Sequence, residues 1–261
     1  MAFVHETGEV LHSWFRCGNA YTSNGIVEFM KECKAHISDE IKLMVRGDSG
    51  FFTGELLDYL ESLNAGYLIK VKLKNLVYLL SQQNWSSIPG HAGYEQTVFY
   101  YKCAGWSHER RFLAVRYLKK DDKSGLFPMP DYDYFCYVTT DESLTPLQVH
   151  HKYGERATCE TWIEECKNQM KACNIRTEDF FANAALFQCS ILAYNIIKWM
   201  ALLAGGKVRH WEVKTIRLYI VRVAGKLIES ARQLTLKLPR MFLYQDEWRR
   251  WEQMSVSVSF D

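Results

Sequence analysis

Ile41-Lys42-Leu43-Met44-Val45-Arg46-Gly47-Asp48-Ser49-Gly50-Phe51 passes from a short apolar stretch into a turn of Gly, Asp and Ser, and its flanks show what that turn joins. Downstream, Leu56, Leu57, Leu60 and Leu63 recur at helical spacing before Gly66, so a helix follows the turn and Gly66 closes it. Tyr67 to Leu73 then reads as a strand. Upstream, Ile41 to Val45 is a short buried strand and Val10 to Phe15 is another. Between them Ser23-Asn24 caps a helix whose apolar face is Ile26, Val27, Phe29, Met30 and Cys33. Strands alternating with helices of this length give an α/β fold with parallel pairing over the first 75 residues.

Beyond residue 76 the period changes. Val98–Tyr101, Arg111–Tyr117 and Tyr134–Val138 are rich in aromatic and β-branched residues between Gly, Pro and Asp clusters, the mark of an inserted antiparallel β module ending near 145. From 146 the pattern is helical. One helix is expected near 150–172, a second from 178 to 203 up to Gly205-Gly206, and a third over Trp211–Val223, before an alternating hairpin at 226–238.

The chain of 261 residues is 48% apolar, enough for a real core. No run approaches the roughly 20 apolar residues of a membrane span, so a soluble protein is expected. Eight cysteines without a CxxC pair argue for reduced structural thiols, and Cys159, Cys166 and Cys173 at heptad spacing fit a helix core better than a zinc site. Phosphate-loop, dinucleotide-binding and nucleophile-elbow motifs are absent from the sequence, which removes those enzyme classes. The net charge of +2 hides an asymmetry: residues 198–250 hold twelve Lys and Arg against four acids. A basic C-terminal segment suits a polyanionic partner.

Two features could carry chemistry. Asp48 stands at the C-terminal end of a strand and ahead of a helix, where α/β folds place ligands, with glycines on both sides; the same position also suits a turn-capping aspartate. Tyr153, Arg156, Glu160 and Lys167, at offsets of 0, 3, 7 and 14, fall in one stripe roughly 60° wide if they share a continuous α-helix. A carboxylate between two cations and a phenol can hold a divalent metal while the others grip phosphate oxygens, although spaced surface ion pairs give the same pattern. Trp162, Ile163, Cys166, Met170 and Cys173 face the other way, toward a core.

Tyr153-x2-Arg156-x3-Glu160-x6-Lys167 resembles the Y-(2)-R-(3)-E-(6)-K signature of insertion-sequence DDE transposases, and Arg46-Gly47-Asp48-Ser49-Gly50-Phe51 resembles their second-aspartate motif. Glu6–Leu11, Arg16-x-Gly18-Asn19 and Ala193-Tyr194-Asn195 are similar to further blocks of that family, and the likeness runs from about residue 3 to 240. The resemblance implies a ribonuclease-H-like core over 1–75 and 146–204, a β-rich insertion over 76–145 and a basic segment over 205–261. It implies Asp48 and Glu160 as catalytic, metal-holding acids for Mg²⁺ (or Mn²⁺). Tyr153, Arg156 and Lys167 would then contact DNA, and Trp85 or Trp106 of the insertion could stack a flipped base.

Implied partners are double-stranded DNA, both transposon ends and target, and a homodimer on DNA; the implied location is the bacterial cytoplasm at the nucleoid, away from membranes. The family's first aspartate lies on a strand upstream of Glu6-Thr7-Gly8, and Glu6 and Glu9 match positions that are not catalytic. As this sequence starts at Met1, the expectation is an N-terminally truncated transposase whose core lacks its first strand. The alternative is an inactive fragment that only binds DNA or a transposase partner.

Overall fold

The computed structural model describes residues 1–21, 23–119, 132–155, 157–174 and 176–257, and is mixed α/β. Its elements in order are β1 (Ala2–Phe3), β2 (Val10–His12), α1 (Ile26–Ala35), β3 (Met44–Gly47), α2 (Gly54–Ser62), β4 (Gly66–Lys70), α3 (Leu76–Ser81), β5 (Ser86–Ser87) and β6 (Tyr94–Tyr101). β7 (Arg110–Leu118), β8 (Tyr132–Thr139), α4 (Pro146–Gly154), α5 (Ala157–Glu164), α6 (Phe180–Ala204), α7 (Val213–Ile216), β9 (Lys226–Ser230), β10 (Gln233–Lys237) and α8 (Gln245–Ser257) follow. Two compact units result: residues 16–157 form one, and residues 1–15 with 158–261 form the other.

The 16–157 unit is built on a six-stranded sheet of order β3-β4-β8-β7-β6-β5. β3 and β4 are parallel, as the strand–helix–strand reading requires, and every other pair is antiparallel. The strands read as a separate inserted module therefore extend the same sheet. β8 returns beside β4 through Leu68↔Thr139 and Ile69↔Val138, which makes one continuous layer. β3 begins later than expected and is an edge strand, with Ile41 and Met44 exposed. Helices cover the sheet. α2 packs along β4 and contributes the buried Leu56, Leu57 and Leu60, and α4 lays Val149 on Leu68, Leu113 and Tyr137.

Local chemistry sets several boundaries differently from the sequence reading. α1 starts after Gly25, whose φ of 70° needs no Cβ, and not from a Ser23-Asn24 side-chain cap. α2 is capped by Thr53 and gives way at Asn64, with φ 53°, so Gly66 is free to begin β4. The helix read as continuous over 150–172 is α4, a break after Gly154, α5, and a π-helical turn at Glu165–Gln169. Trp211–Val223 likewise resolves into α7 and a π turn at Arg217–Val221.

In the other unit, α6 is the spine. Phe187, Ile191, Tyr194, Ile197, Ala201 and Ala204 form its inner seam against Val10, Cys166, Val208, Val213 and Ile216. Cys173, expected in the core, is exposed. α6 is, against the sequence reading, long and apolar enough to cross a membrane by length and composition. Its polar residues have local duties that a soluble core helix also requires, and the clearest is Asn195, whose amide binds both the N–H (2.8 Å) and the C=O (2.9 Å) of Val10. Tyr194 donates its hydroxyl to the Gly8 carbonyl at 2.9 Å. β2 pairs with β1 alone among the described residues, so this side-chain clamp replaces a second neighbouring strand.

Gly8 has φ +74°, and a Cβ there would lie 3.0 Å from Trp162 and 3.1 Å from Lys198. Gly8→Ala is expected to cost about 1–3 kcal/mol in urea unfolding, since both backbone and packing oppose it. An unchanged midpoint would show that Trp162 can yield.

β9 and β10 make the hairpin expected at 226–238, in register from Gln233↔Ser230 to Lys237↔Lys226. Ala231 (φ 51°) and Arg232 (φ 62°) supply the two left-handed residues of its tight turn.

Candidate active site

Asp48 follows directly on β3 and precedes a short 3-10 turn at Ser49–Phe51. Its Oδ1 accepts from the Gly50 N–H at 2.8 Å, so the carboxylate caps that turn and is held at the end of the parallel pair. The capping and the functional readings are thus compatible, since one oxygen fixes the orientation. Two residues earlier, Arg46 Nη1 donates to the Lys152 carbonyl (3.0 Å) and to Glu155 Oε2 (3.1 Å). This bond ties β3 to the C-terminal turn of α4, where cationic donors satisfy unpaired carbonyls. Tyr153, half-buried on that turn, packs its ring 4.8 Å from Tyr137. The structure therefore brings the Asp48 motif and the Tyr153 turn to the same end of the sheet.

Glu160 and Lys167 belong to the other unit, both exposed, on α5 and on the π turn respectively. Arg156 lies outside the described residues. The single stripe assumed one continuous helix. The break after Gly154 and the i→i+5 bonding of the π turn change the angular step on which it rested. The Glu6–Leu11 and Ala193–Asn195 blocks are joined by the bonds of Tyr194 and Asn195 to Gly8 and Val10. In the Arg16-x-Gly18-Asn19 block, Arg16 donates to the carbonyls of Asn24 (2.7 Å) and Tyr21.

Both insertion tryptophans have structural partners. Trp106 is buried between Phe52 and Phe112, with the Arg110 guanidinium 4.7 Å from its ring centre. Trp85 donates Nε1 to the Leu80 carbonyl at 2.9 Å and lies 4.4 Å from the Arg116 guanidinium.

Sequence reasoning missed a second charged cluster. Asp58, Glu61 and His108 bring their ligand atoms within 4.8 Å of one another, an acidic group of a kind that can hold a metal. Here the buried Arg110 already occupies it. Arg110 donates from Nε to Glu61 Oε1 (2.7 Å) and from Nη2 to Asp58 Oδ1 (2.6 Å) and Glu61 Oε2 (2.9 Å). Burial pushes the Glu61 carboxyl up, but hydrogen bonds from Arg110 and Tyr67 outweigh it and leave the group below its ordinary value. Asp58 is lowered too, first by Ser107 and then by Arg110. A divalent cation would have to displace a bidentate guanidinium, so the cluster is better suited to structural than to metal duty. Asp58 and Glu61 share a helix face at i, i+3. Nothing local points to Arg110, which is 52 residues from Asp58.

Carboxylates are hard oxygen donors of the kind Mg²⁺ and Mn²⁺ prefer, and Asp48 and Glu160 each carry one. No curated protein matches the chain. The family model for transposase DDE domain group 1 matches residues 1–255. With nearly the whole chain covered and an aspartate set at the end of a parallel strand pair, the protein belongs to the DDE transposase domain family, group 1.

Proposed function

We propose that the chain is an insertion-sequence transposase that binds double-stranded DNA, the element ends and the target, and that in its intact form cuts and joins them. The family match over residues 1–255 carries this reading, because DDE transposases are metal-dependent DNA-cutting enzymes. Asp48 and Glu160 are the carboxylates that hold Mg²⁺ (or Mn²⁺). Such an ion would supply Lewis acidity for phosphoryl transfer. The Gly50 N–H fixes Asp48 by one oxygen, which leaves its orientation set before any ligand arrives. Tyr153, Arg156 and Lys167 hold the phosphate oxygens flanking the cut, as planar and ammonium cations do elsewhere.

Hydrolysis at the element end frees a 3′-hydroxyl, and that hydroxyl, losing its proton, attacks a phosphodiester of the target in line and displaces the target's own 3′-oxygen, which takes up a proton as it leaves. In this reading residues 1–75 and 146–204 correspond to the ribonuclease-H-like core, 76–145 to an insertion whose strands β6–β8 continue the sheet of β3 and β4, and 205–261 to the basic segment that neutralises backbone phosphates. A homodimer on DNA is the assembly this reading favours, since two ends must be joined.

Calorimetric titration with Mn²⁺ tests the acid pair without requiring turnover. The wild-type chain is expected to bind, and Asp48→Ala and Glu160→Ala are each expected to weaken binding at least about 100-fold, since even outer-shell changes reach that range. Equal binding by all three would sink the assignment.

A further inference from the structure

The β9–β10 hairpin stands away from the core. Every residue of both strands is exposed except Ile228, which is half-buried, and a two-stranded ribbon alone is marginal in water. Its register sorts the side chains onto two faces. Leu227, Glu229, Leu234 and Leu236 share one face. The other carries Lys226, Ile228 and Ser230 opposite Lys237, Thr235 and Gln233. That second face has no acid. It also sets two ammonium groups directly across from one another, at Lys226↔Lys237, an arrangement that destabilises a ribbon unless an anion lies between them. Arg232 sits in the turn at one end and Arg240 follows the other end, so cations stand at both ends of the ribbon.

We infer that the Lys226–Lys237 face of this hairpin is a double-stranded-DNA-binding ribbon that lies in the major groove, with Lys226, Lys237 and Arg232 on phosphates and Gln233 and Ser230 toward base edges. The inference rests on the transposase reading and assigns that reading a binding element. A two-stranded ribbon is the right width for the groove, and five paired residues span about 16 Å of it. The charge matches the partner, because a polyanion supplies what the opposed lysines lack. The hydroxyl and amide side chains of Thr235, Ser230 and Gln233, between the lysine pair and Arg232, give the face both donors and acceptors, as base edges require. The leucine face is left outward by this arrangement.

The test uses the full chain and a fluorescently labelled duplex of about 30 base pairs, with binding followed by anisotropy across a range of KCl concentrations. Lys226→Gln/Lys237→Gln is expected to reduce the slope of log K against log salt by about 1.8, from two lost phosphate contacts, and to weaken binding at least about tenfold at low salt. Leu227→Ser/Leu234→Ser/Leu236→Ser, on the opposite face, is expected to keep the wild-type slope. Both sets of changes are at exposed positions, and matching urea midpoints confirm that the fold is kept.

Wild-type binding with the same slope in the lysine variant overturns the inference and leaves the transposase reading standing. A leucine variant that changes the oligomeric state, together with an unchanged slope in the lysine variant, overturns it in favour of an interface between copies of the chain. No duplex binding by the wild type overturns the functional reading itself, and the inference with it.

Discussion

In the intact form that carries the family's first aspartate, Asp48→Asn and Glu160→Gln are expected to reduce Mg²⁺-dependent cleavage of a duplex bearing the element's terminal repeat by at least about 100-fold while leaving duplex binding near wild type. The amide oxygen that Asp48→Asn leaves in place is still an acceptor for the Gly50 N–H, so the turn at Ser49–Phe51 stays capped and the loss reads out the missing charge alone. Glu160 is exposed in the first turn of α5, where a glutamine is a good helix former, so its replacement is structurally mild as well. A gel assay run with Mg²⁺ and with a chelator separates chemistry from binding. Variants that cut like the wild type, or cutting that survives the chelator, would exclude these two acids from the reaction.

The largest effect on stability is expected from Arg110→Met. Arg110 has a side chain only 2% exposed and satisfies Glu61 and Asp58 together. Removing it leaves Glu61, which also accepts from Tyr67 at 2.6 Å, as a partly buried carboxylate without its guanidinium partner. Breaking such a pair from one side costs about 3–5 kcal/mol. Adding Glu61→Gln to Arg110→Met is expected to return part of that loss, because the orphaned charge is then gone.

The pH dependence follows from the same geometry. Both carboxyls are lowered in the folded chain, from ordinary values of 4.5 for Glu61 and 3.8 for Asp58. The unfolded chain therefore binds more protons just below those values, and the stabilisation is fully present above about pH 4.5 and lost as pH falls through the lowered values. Urea midpoints measured from about pH 7 to about pH 3 should show this acid loss in the wild type and a flatter profile in Arg110→Met. A variant as stable as the wild type would mean that the cluster is held by something other than Arg110.

Sequence alone determined those features that depend on local period and short-range chemistry. The alternation of Leu56, Leu57 and Leu60 with flanking apolar strands required an α/β unit, and β3 and β4 are parallel accordingly. The aromatic runs required strands β6 to β8, and alternating leucines required the hairpin at 226–238. Asp48 at the end of a strand was legible for the same reason.

Tertiary structure decided whatever depends on which distant groups meet. Whether β6–β8 form their own module or extend the sheet turns on the pairing of β4 with β8, about 70 residues apart, which no local period encodes. The stripe from Tyr153 to Lys167 rested on helix continuity, and the structure instead gives α4, α5 and a π turn at Glu165–Gln169 as separate elements. Gly8 looks like any turn glycine until Trp162 and Lys198 close over it. Arg110 was invisible as a partner of Asp58 and Glu61 because its neighbours in the chain say nothing about them. Side-chain period fixes which face a residue takes, whereas burial and charge pairing are properties of the assembled chain, and these set the energies of Asn195, Arg110 and Gly8.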